Sequence, residues 1–303
     1  MYEILLYYKY TNIVDPSELC QTQRLLCKKL GLKGRIIIAP EGINGTVEGL
    51  VENTQKYIDE VIVDPRFITM NFKRSAGTGN AFPKLAIKER SEIVSAHLGG
   101  DDVNPVDTTG KYLSPEDLHS WIHEQKEFYI IDMRNDYEHA VGFFKNSILP
   151  PLENFRDLPK ILPTLAHLKN KTVVTVCTGG VRCEKASGFL VKHGFKDVYQ
   201  LHNGIVSYME KYPDEDFAGK LYVFDGRVTM GFSSPVKDHE IVGVCKKCDA
   251  PSENFVNCLL PTCHKHFICC VGCLNAKGEP FCSWRCALIK KFRELFKKNK
   301  KKN

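Results

Sequence analysis

Nine cysteines lie between Cys245 and Cys286, against four in the 244 residues before them. No other feature limits the folding of this chain so tightly. With Cys269 set aside the spacing is C-x2-C-x9-C-x4-C-x6-C-x2-C-x8-C-x3-C, eight thiols in four close pairs. Two residues between paired cysteines is the usual ligand spacing, and a tetrahedral zinc ion takes four thiolates. Cys245, Cys248, Cys258, Cys263, Cys270, Cys273, Cys282 and Cys286 are therefore the expected ligands of two structural zinc ions. A cross-brace would pair 245/248 with 270/273 and 258/263 with 282/286. A segment of this size buries too little apolar surface to fold without such staples. Four thiolates also suit an iron–sulfur cluster, and His264 or His266 offers a replacement ligand, so spacing alone leaves these alternatives open.

A disulfide framework would need a short secreted chain behind a signal peptide. This chain has 303 residues and opens on a Tyr-rich, strand-like segment interrupted by Lys9. It also has no run near the roughly 18 apolar residues of a spanning helix. A cytoplasmic, reducing setting without a membrane partner is the expectation. The formal charge is +6, but residues 287–303 carry eight Lys/Arg and one Glu, or +7, leaving −1 for the other 286. That basic tail reads as a nucleic-acid contact or as a solvated end.

Residues 1–97 alternate strand and helix signals. Ile4 to Tyr10 reads as a strand, followed by a helix opening at Asp15-Pro16 with Glu18 completing a capping box, and ending at Gly31. Next come a strand at Ile36 to Ile38, a turn at Asn44-Gly45, a second short strand to Gly49 and a helix carrying Tyr57, Ile58, Val61 and Ile62. Strands at Ile68 to Phe72 and Leu85 to Ile87 finish the unit. The order β-α-β-β-α-β, plus one strand, is that of a ferredoxin-like (acylphosphatase-like) α+β sandwich. Residues 98–113, rich in Gly, Asp, Asn and Pro, read as a linker. From 114 to 220, strands at Phe128 to Met133, Thr172 to Val176 and Asp197 to Leu201 alternate with helices, which predicts a parallel α/β sheet with its site at the carboxyl ends of the strands. Residues 221–286 form the Cys-rich module and 287–303 the tail.

Cys177-Thr178-Gly179-Gly180-Val181-Arg182-Cys183 sits between a buried-type strand and a helix. A lone cysteine at a strand end is usually a packing residue. Here two glycines let the backbone N–H groups converge on the sulfur, the helix N-terminus adds partial positive charge, and Arg182 adds a full one; all three favour thiolate. Cys183, at the helix entrance, fits packing, a resolving thiol or the nucleophile itself. Only four residues separate Cys177 from Arg182, one fewer than a cysteine phosphatase needs to encircle phosphate, and the smaller ring suits a persulfide.

The thiol loop, Ile130-Ile131-Asp132-Met133-Arg134, Tyr137-Glu138 and Gly142 resemble a rhodanese domain. The string from Cys177 to Ser187, together with Tyr8-Lys9-Tyr10, Asp15-Pro16, Glu41-Gly42-Ile43-Asn44 and Phe224-Asp225 with Arg227, is similar to the rhodanese-domain tRNA uridine hydroxylases, the TrhO family. Phe143 and Asn203 depart from the usual rhodanese His and Gly. Asn tolerates a positive φ better than other non-glycine residues, so the turn at Asn203 is expected to survive. The resemblance implies hydroxylation of the wobble uridine of tRNA at C5 with molecular oxygen as co-substrate, Cys177 as the reactive thiol and Arg182 with the loop N–H groups stabilising its anion. It makes tRNA the partner and raises the RNA reading of Lys73, Arg74, Lys84, Lys88 and Arg90. The alternatives are a sulfurtransferase moving persulfide sulfur from a donor protein or thiosulfate, and a non-enzymatic RNA-binding or docking adaptor.

Overall fold

A computed structural model describes residues 1–232, 240–263, 265–277 and 280–300, with the side chains of 275–277 and 295–300 outside that description. The first unit contains β1 (Tyr2–Tyr10), α1 (Pro16–Lys29), β2 (Lys33–Ala39), β3 (Gly42–Leu50), α2 (Val51–Val61), β4 (Phe72–Ala76) and β5 (Leu85–Glu89). Its sheet order is β4-β1-β3-β2-β5, with β5 the parallel addition at the edge of an antiparallel four-stranded sheet. This is the expected ferredoxin-like sandwich. Alternation along β1 assigns the two faces: Leu5 and Tyr7 join Leu19, Cys27, Tyr57 and Val61 in the core beneath the helices, while Leu6, Tyr8 and Tyr10 face the other way.

Three local expectations fail, the first two because a distant residue decides the matter. The β2–β3 turn lies at Pro40-Glu41, not at Asn44-Gly45, which are paired inside β3. Gly45 is there for space, since a Cβ would sit 2.3 Å from the Tyr7 ring, and the Asn44 amide donates to the Ile93 carbonyl at 3.0 Å. Asp15 makes no side-chain cap and instead accepts from Arg66 at 2.7 Å. The strand expected at Ile68 to Phe72 begins at Phe72, because Asp64 accepts from the Arg66 backbone and side chain and holds a tight turn over Pro65–Phe67.

The second unit runs through β6 (Lys111–Leu113), α3 (Pro115–His123), β7 (Tyr129–Asp132), α4 (Asp136–His139), β8 (Gly142–Phe144), α5 (Leu158–Leu165), β9 (Thr172–Val176), α6 (Val181–Lys192), β10 (Asp197–Leu201) and α7 (Gly204–Lys211). Strands β6-β10-β9-β7 form a parallel sheet covered on both faces. Successive strand residues part accordingly: Ile131 and Val173 pack under α5 and α6, Ile130 and Val174 under α3 and α7. Of residues 98–113, expected as a linker, 98–110 lie over α6, with Leu98 and Val103 buried and the Gly110 N–H donating to Ser187 Oγ at 2.8 Å, whereas 111–113 are strand β6 of the sheet.

The chain then forms β11 (Phe217–Gly219), which pairs with β8, and β12 (Leu221–Tyr222) with β13 (Thr229–Met230). The Cys-rich module follows as hairpin β14 (Phe255–Asn257) and β15 (His266–Ile268), α8 (Val271–Lys277) and α9 (Trp284–Lys300). Val141, Tyr222 and Ile268 form the apolar seam that seats this module on the parallel-sheet unit. The Lys-rich stretch continues in α9 directly from Cys286.

Candidate functional site

β9 ends in the thiol loop at the carboxyl edge of the sheet, and α6 leaves it from Gly180. Gly180 has φ +99, a left-handed conformation that glycine adopts without strain. A side chain there would also meet the Tyr8 hydroxyl, so this glycine lets the first unit approach the loop. The Gly180 N–H donates to Cys177 Sγ at 3.2 Å, and the N–H groups of Ile205 and Val206, opening α7, anchor the Cys177 and Thr178 carbonyls at 2.9 and 3.1 Å. Asn203, at φ +65, makes the turn into α7 that was expected of it.

Cys177 and Cys183 are both fully buried. Burial pushes the Cys177 thiol up. Against it act a hydrogen bond from the Cys183 thiol, the Arg182 charge and the backbone N–H groups of Cys183 and Arg182, and these win, holding Cys177 well below the ordinary thiol value. Burial and the neighbouring Cys177 anion push Cys183 the other way, so it stays a protonated donor.

Arg182 does not aim its full charge at the sulfur. Its guanidinium is clamped by the Glu138 carboxylate, through Nη1 to Oε1 and Nη2 to Oε2 at 2.8 Å, and also lies 3.3 Å from Thr178 Oγ1. Glu138 is itself fixed by the Asn135 N–H at 2.9 Å. In the sequence Glu138 stands only as part of a motif; its Asn135-x-x-Glu138 capping-box spacing is the signal that its carboxylate turns back to the helix start, beside the loop. The neighbouring motif pair Asp132 and Arg134 is fully buried, with Arg134 Nη2 reaching the Gly142 carbonyl at 2.7 Å, and serves to hold β8.

Above Cys177 lies a cavity of about 500 Å³ between the loop and the outer face of the first unit's sheet. Cys177, Thr178 and Arg182 line it from one side, Tyr8, Arg35 and Asn44 from the other. Asn135, Asn154 and Arg156 add polar groups, and Phe82, Phe155 and Phe224 add aromatic faces. Cys183 does not reach it.

Other motif residues join the two units. Tyr8 Oη donates to Glu184 Oε1 at 3.0 Å, Tyr10 Oη to the Val181 carbonyl at 3.3 Å, and Lys185 Nζ pairs with Glu41 at 2.7 Å and Asp102 at 3.0 Å. Arg227 reaches Ser75 Oγ at 3.0 Å and is held by Asp225 at 2.7 Å. Among the basic residues of the first unit, Lys73 is buried with its ammonium 5.1 Å from the centre of the Tyr8 ring, and burial pushes it down to about 8. Arg74 pairs with Glu3 at 3.1 Å, while Lys84, Lys88 and Arg90 remain exposed.

The cysteine module gathers Cys245, Cys248, Cys270 and Cys273 in one group and Cys258, Cys263, Cys282 and Cys286 in another, the sulfurs of each within 4.8 Å of one another. Four converging thiols with no disulfide among them are a donor set suited to a tetrahedral ion. Cys269 is buried outside both groups. His266 belongs to neither group: Nδ1 lies 2.8 Å from Asn257 Oδ1 and its ring stacks on Phe255. His264 lies outside the described residues.

Family models match in three stretches: the UPF0176 acylphosphatase like domain over residues 2–93, the rhodanese-like domain over 114–211 and the rhodanase C-terminal family over 218–287. A tRNA uridine(34) hydroxylase of Cytophaga hutchinsonii is 45% identical over 285 residues, 94% of this chain and 89% of that protein. The proteins of the same name from Bacillus mycoides and Bacillus licheniformis are each 45% identical, over 94% and 88% of this chain and 89% and 83% of theirs. With all three units matched and such identity along nearly its whole length, the chain belongs to the tRNA uridine(34) hydroxylase family.

Proposed function

We propose that this protein hydroxylates the wobble uridine of tRNA at C5, giving 5-hydroxyuridine, with Cys177 as its reactive thiol and molecular oxygen as the source of the added atom, the second oxygen atom leaving as water with two electrons from an external reductant. The observation that carries the reading is the cavity: about 500 Å³, within the usual range of about 300–1,000 Å³ for a small-molecule pocket, with a thiol predisposed to ionise on its wall. A wobble base in an unpaired loop can be splayed out and read on its edges, as sequence-specific RNA recognition requires. The Asn44, Asn135 and Asn154 amides offer donors and acceptors to a uracil edge, and the Phe82, Phe155 and Phe224 rings offer faces for stacking.

In this reading Cys177 is the reacting sulfur and Cys183 positions it, because only Cys177 of the two borders the cavity and the Cys183 thiol donates to it. Arg182, with its charge shared with Glu138, steadies the loop and contributes a partial field at the sulfur. The same N–H cradle would stabilise a persulfide, which favours sulfur transfer from a donor protein as the second reading.

The two four-cysteine groups would hold zinc as structural ions, tying the hairpin to α8 and α9. A reduced cytoplasm suits thirteen unpaired thiols, and no helix among the described residues is long and apolar enough to cross a membrane. The test is nucleoside mass spectrometry of tRNA incubated with the protein under air and under nitrogen. 5-Hydroxyuridine formed only under air supports hydroxylation; a thiolated nucleoside supports the second reading instead.

A further inference from the structure

Beyond the far end of α7 from the thiol loop, four side chains converge that the reaction does not use. α3 opens at Ser114, whose hydroxyl accepts from the Asp117 N–H, and carries His119 and His123 one turn apart on the same face. The chain leaving α7 returns beneath these rings and presents Glu215 and Asp216. One ring nitrogen of each histidine and one oxygen of each carboxylate lie within 4.8 Å of one another.

Their separations favour an ion between them over direct bonding. His123 Nε2 lies 3.4 Å from Asp216 Oδ2; His119 faces the same oxygen at 3.4 Å with Nδ1, the nitrogen beside Tyr208, and leaves Nε2 as its ligand atom. His119 Nε2 and His123 Nε2 lie 3.7 and 3.8 Å from Glu215 Oε2. A good N–H···O bond spans about 2.7–3.2 Å. A tetrahedral ion with bonds of about 2.0–2.1 Å sets its ligands about 3.3–3.4 Å apart. The surroundings also hold the donors in place. The buried Tyr208 hydroxyl donates to Asp216 Oδ2 and lies 3.2 Å from His119 Nδ1, while the Tyr212 ring stacks flat on His119 at 3.9 Å. Tyr208 is in turn packed edge-on against Phe144. Outer contacts of this kind orient metal ligands.

We propose that His119, His123, Glu215 and Asp216 form a third metal site, for a divalent first-row ion and in particular zinc, built without sulfur and separate from both cysteine groups. Two imidazoles and two carboxylates match that ion's preferences. Bound there, it pins α3 to the segment between α7 and β11, bracing one side of the parallel-sheet unit.

The test uses the full-length, tag-free protein with its cysteine sites loaded. Titration with zinc should show one further equivalent, and cobalt(II) placed there should give ligand-field bands with no sulfur-to-metal charge transfer. His123→Ala, at a half-exposed position, should abolish that equivalent and leave the others. Should that variant misfold, Asp216→Asn serves instead. Tyr208→Phe keeps the ring and should weaken binding about 10–100-fold. No further equivalent, undiminished binding in His123→Ala or Asp216→Asn, or a thiolate charge-transfer band would overturn the proposal and leave an imidazole–carboxylate charge cluster.

Discussion

Glu138 grips the guanidinium of Arg182 with both carboxylate oxygens, and both side chains are shut away from solvent. The only full positive charge in the thiol loop is thus already paired. Removing one partner of a buried pair strands the other and costs about 3–5 kcal/mol, whereas replacing both with apolar groups can be neutral. Glu138→Ala should therefore lower stability by about that amount, and Glu138→Met with Arg182→Met should recover much of it. Urea denaturation of the single and double variants checks this; additive losses would show that the two side chains act independently.

Cys177 should remain reactive at pH values where ordinary thiols are silent. Its folded pKa, about 6 against an ordinary 9.0, lies on the depressed side, so alkylation should be complete above that value and fade as the pH falls through it. Cys183→Ala removes the donated hydrogen bond and should move the midpoint upward. The rate of iodoacetamide modification, followed by peptide mass spectrometry from pH 5 to 9, decides; an unmoved midpoint would separate Cys183 from the ionisation of Cys177.

Lys185 joins the two units through Glu41 and Asp102. Lys185→Met keeps its length and deletes its charge, leaving Glu41 without its cationic partner, a loss of about 1–3 kcal/mol for a largely buried group. Hydrogen exchange should quicken in residues 39–45 and around Tyr8 before the parallel sheet is affected. Uniform exchange across both units would contradict a role at the seam.

Removing residues 287–303 deletes a formal +7. If α9 meets tRNA phosphates, the slope of log affinity against log salt should shallow by about 0.7–0.9 per lost contact. The loss should be similar for cognate and non-cognate tRNA, since phosphate contacts carry no sequence information. Identical slopes for full-length and truncated protein would assign the basic stretch to solvent.

Chelation should strip two zinc ions from the cysteine groups and unfold the module over 245–286, because binding free energy is folding free energy in such segments. The parallel sheet, which has its own apolar core, should keep its circular dichroism. Iron in the elemental analysis, with visible absorbance, would replace zinc with a cluster.

What could be read from the sequence was whatever the local chain decides. The thiol loop is announced by its glycines between a β-branched strand and a helix, and the cysteine groups by their spacing. What escaped depends on residues far away in the chain. Gly45 looks like a turn residue until Tyr7 is found against it, and Asp15 looks like a cap until Arg66, 51 positions on, takes its carboxylate. Lys73 reads as a phosphate contact but is buried beneath Tyr8, a fact set by how the two units dock. Glu184 and Lys185 sit in a string that matches the family, yet their function as joints between units appears only once the first unit's sheet is laid on α6.

The role of Cys177 is tested most directly in cells lacking this protein and complemented with wild type, Cys177→Ser or Cys183→Ser, with tRNA nucleosides measured by mass spectrometry. Wild type should restore 5-hydroxyuridine at the wobble position, Cys177→Ser should restore none although it folds, and Cys183→Ser should restore a reduced amount. Full restoration by Cys177→Ser, or failure of Cys183→Ser alone, would contradict the assignment of Cys177 as the reacting sulfur.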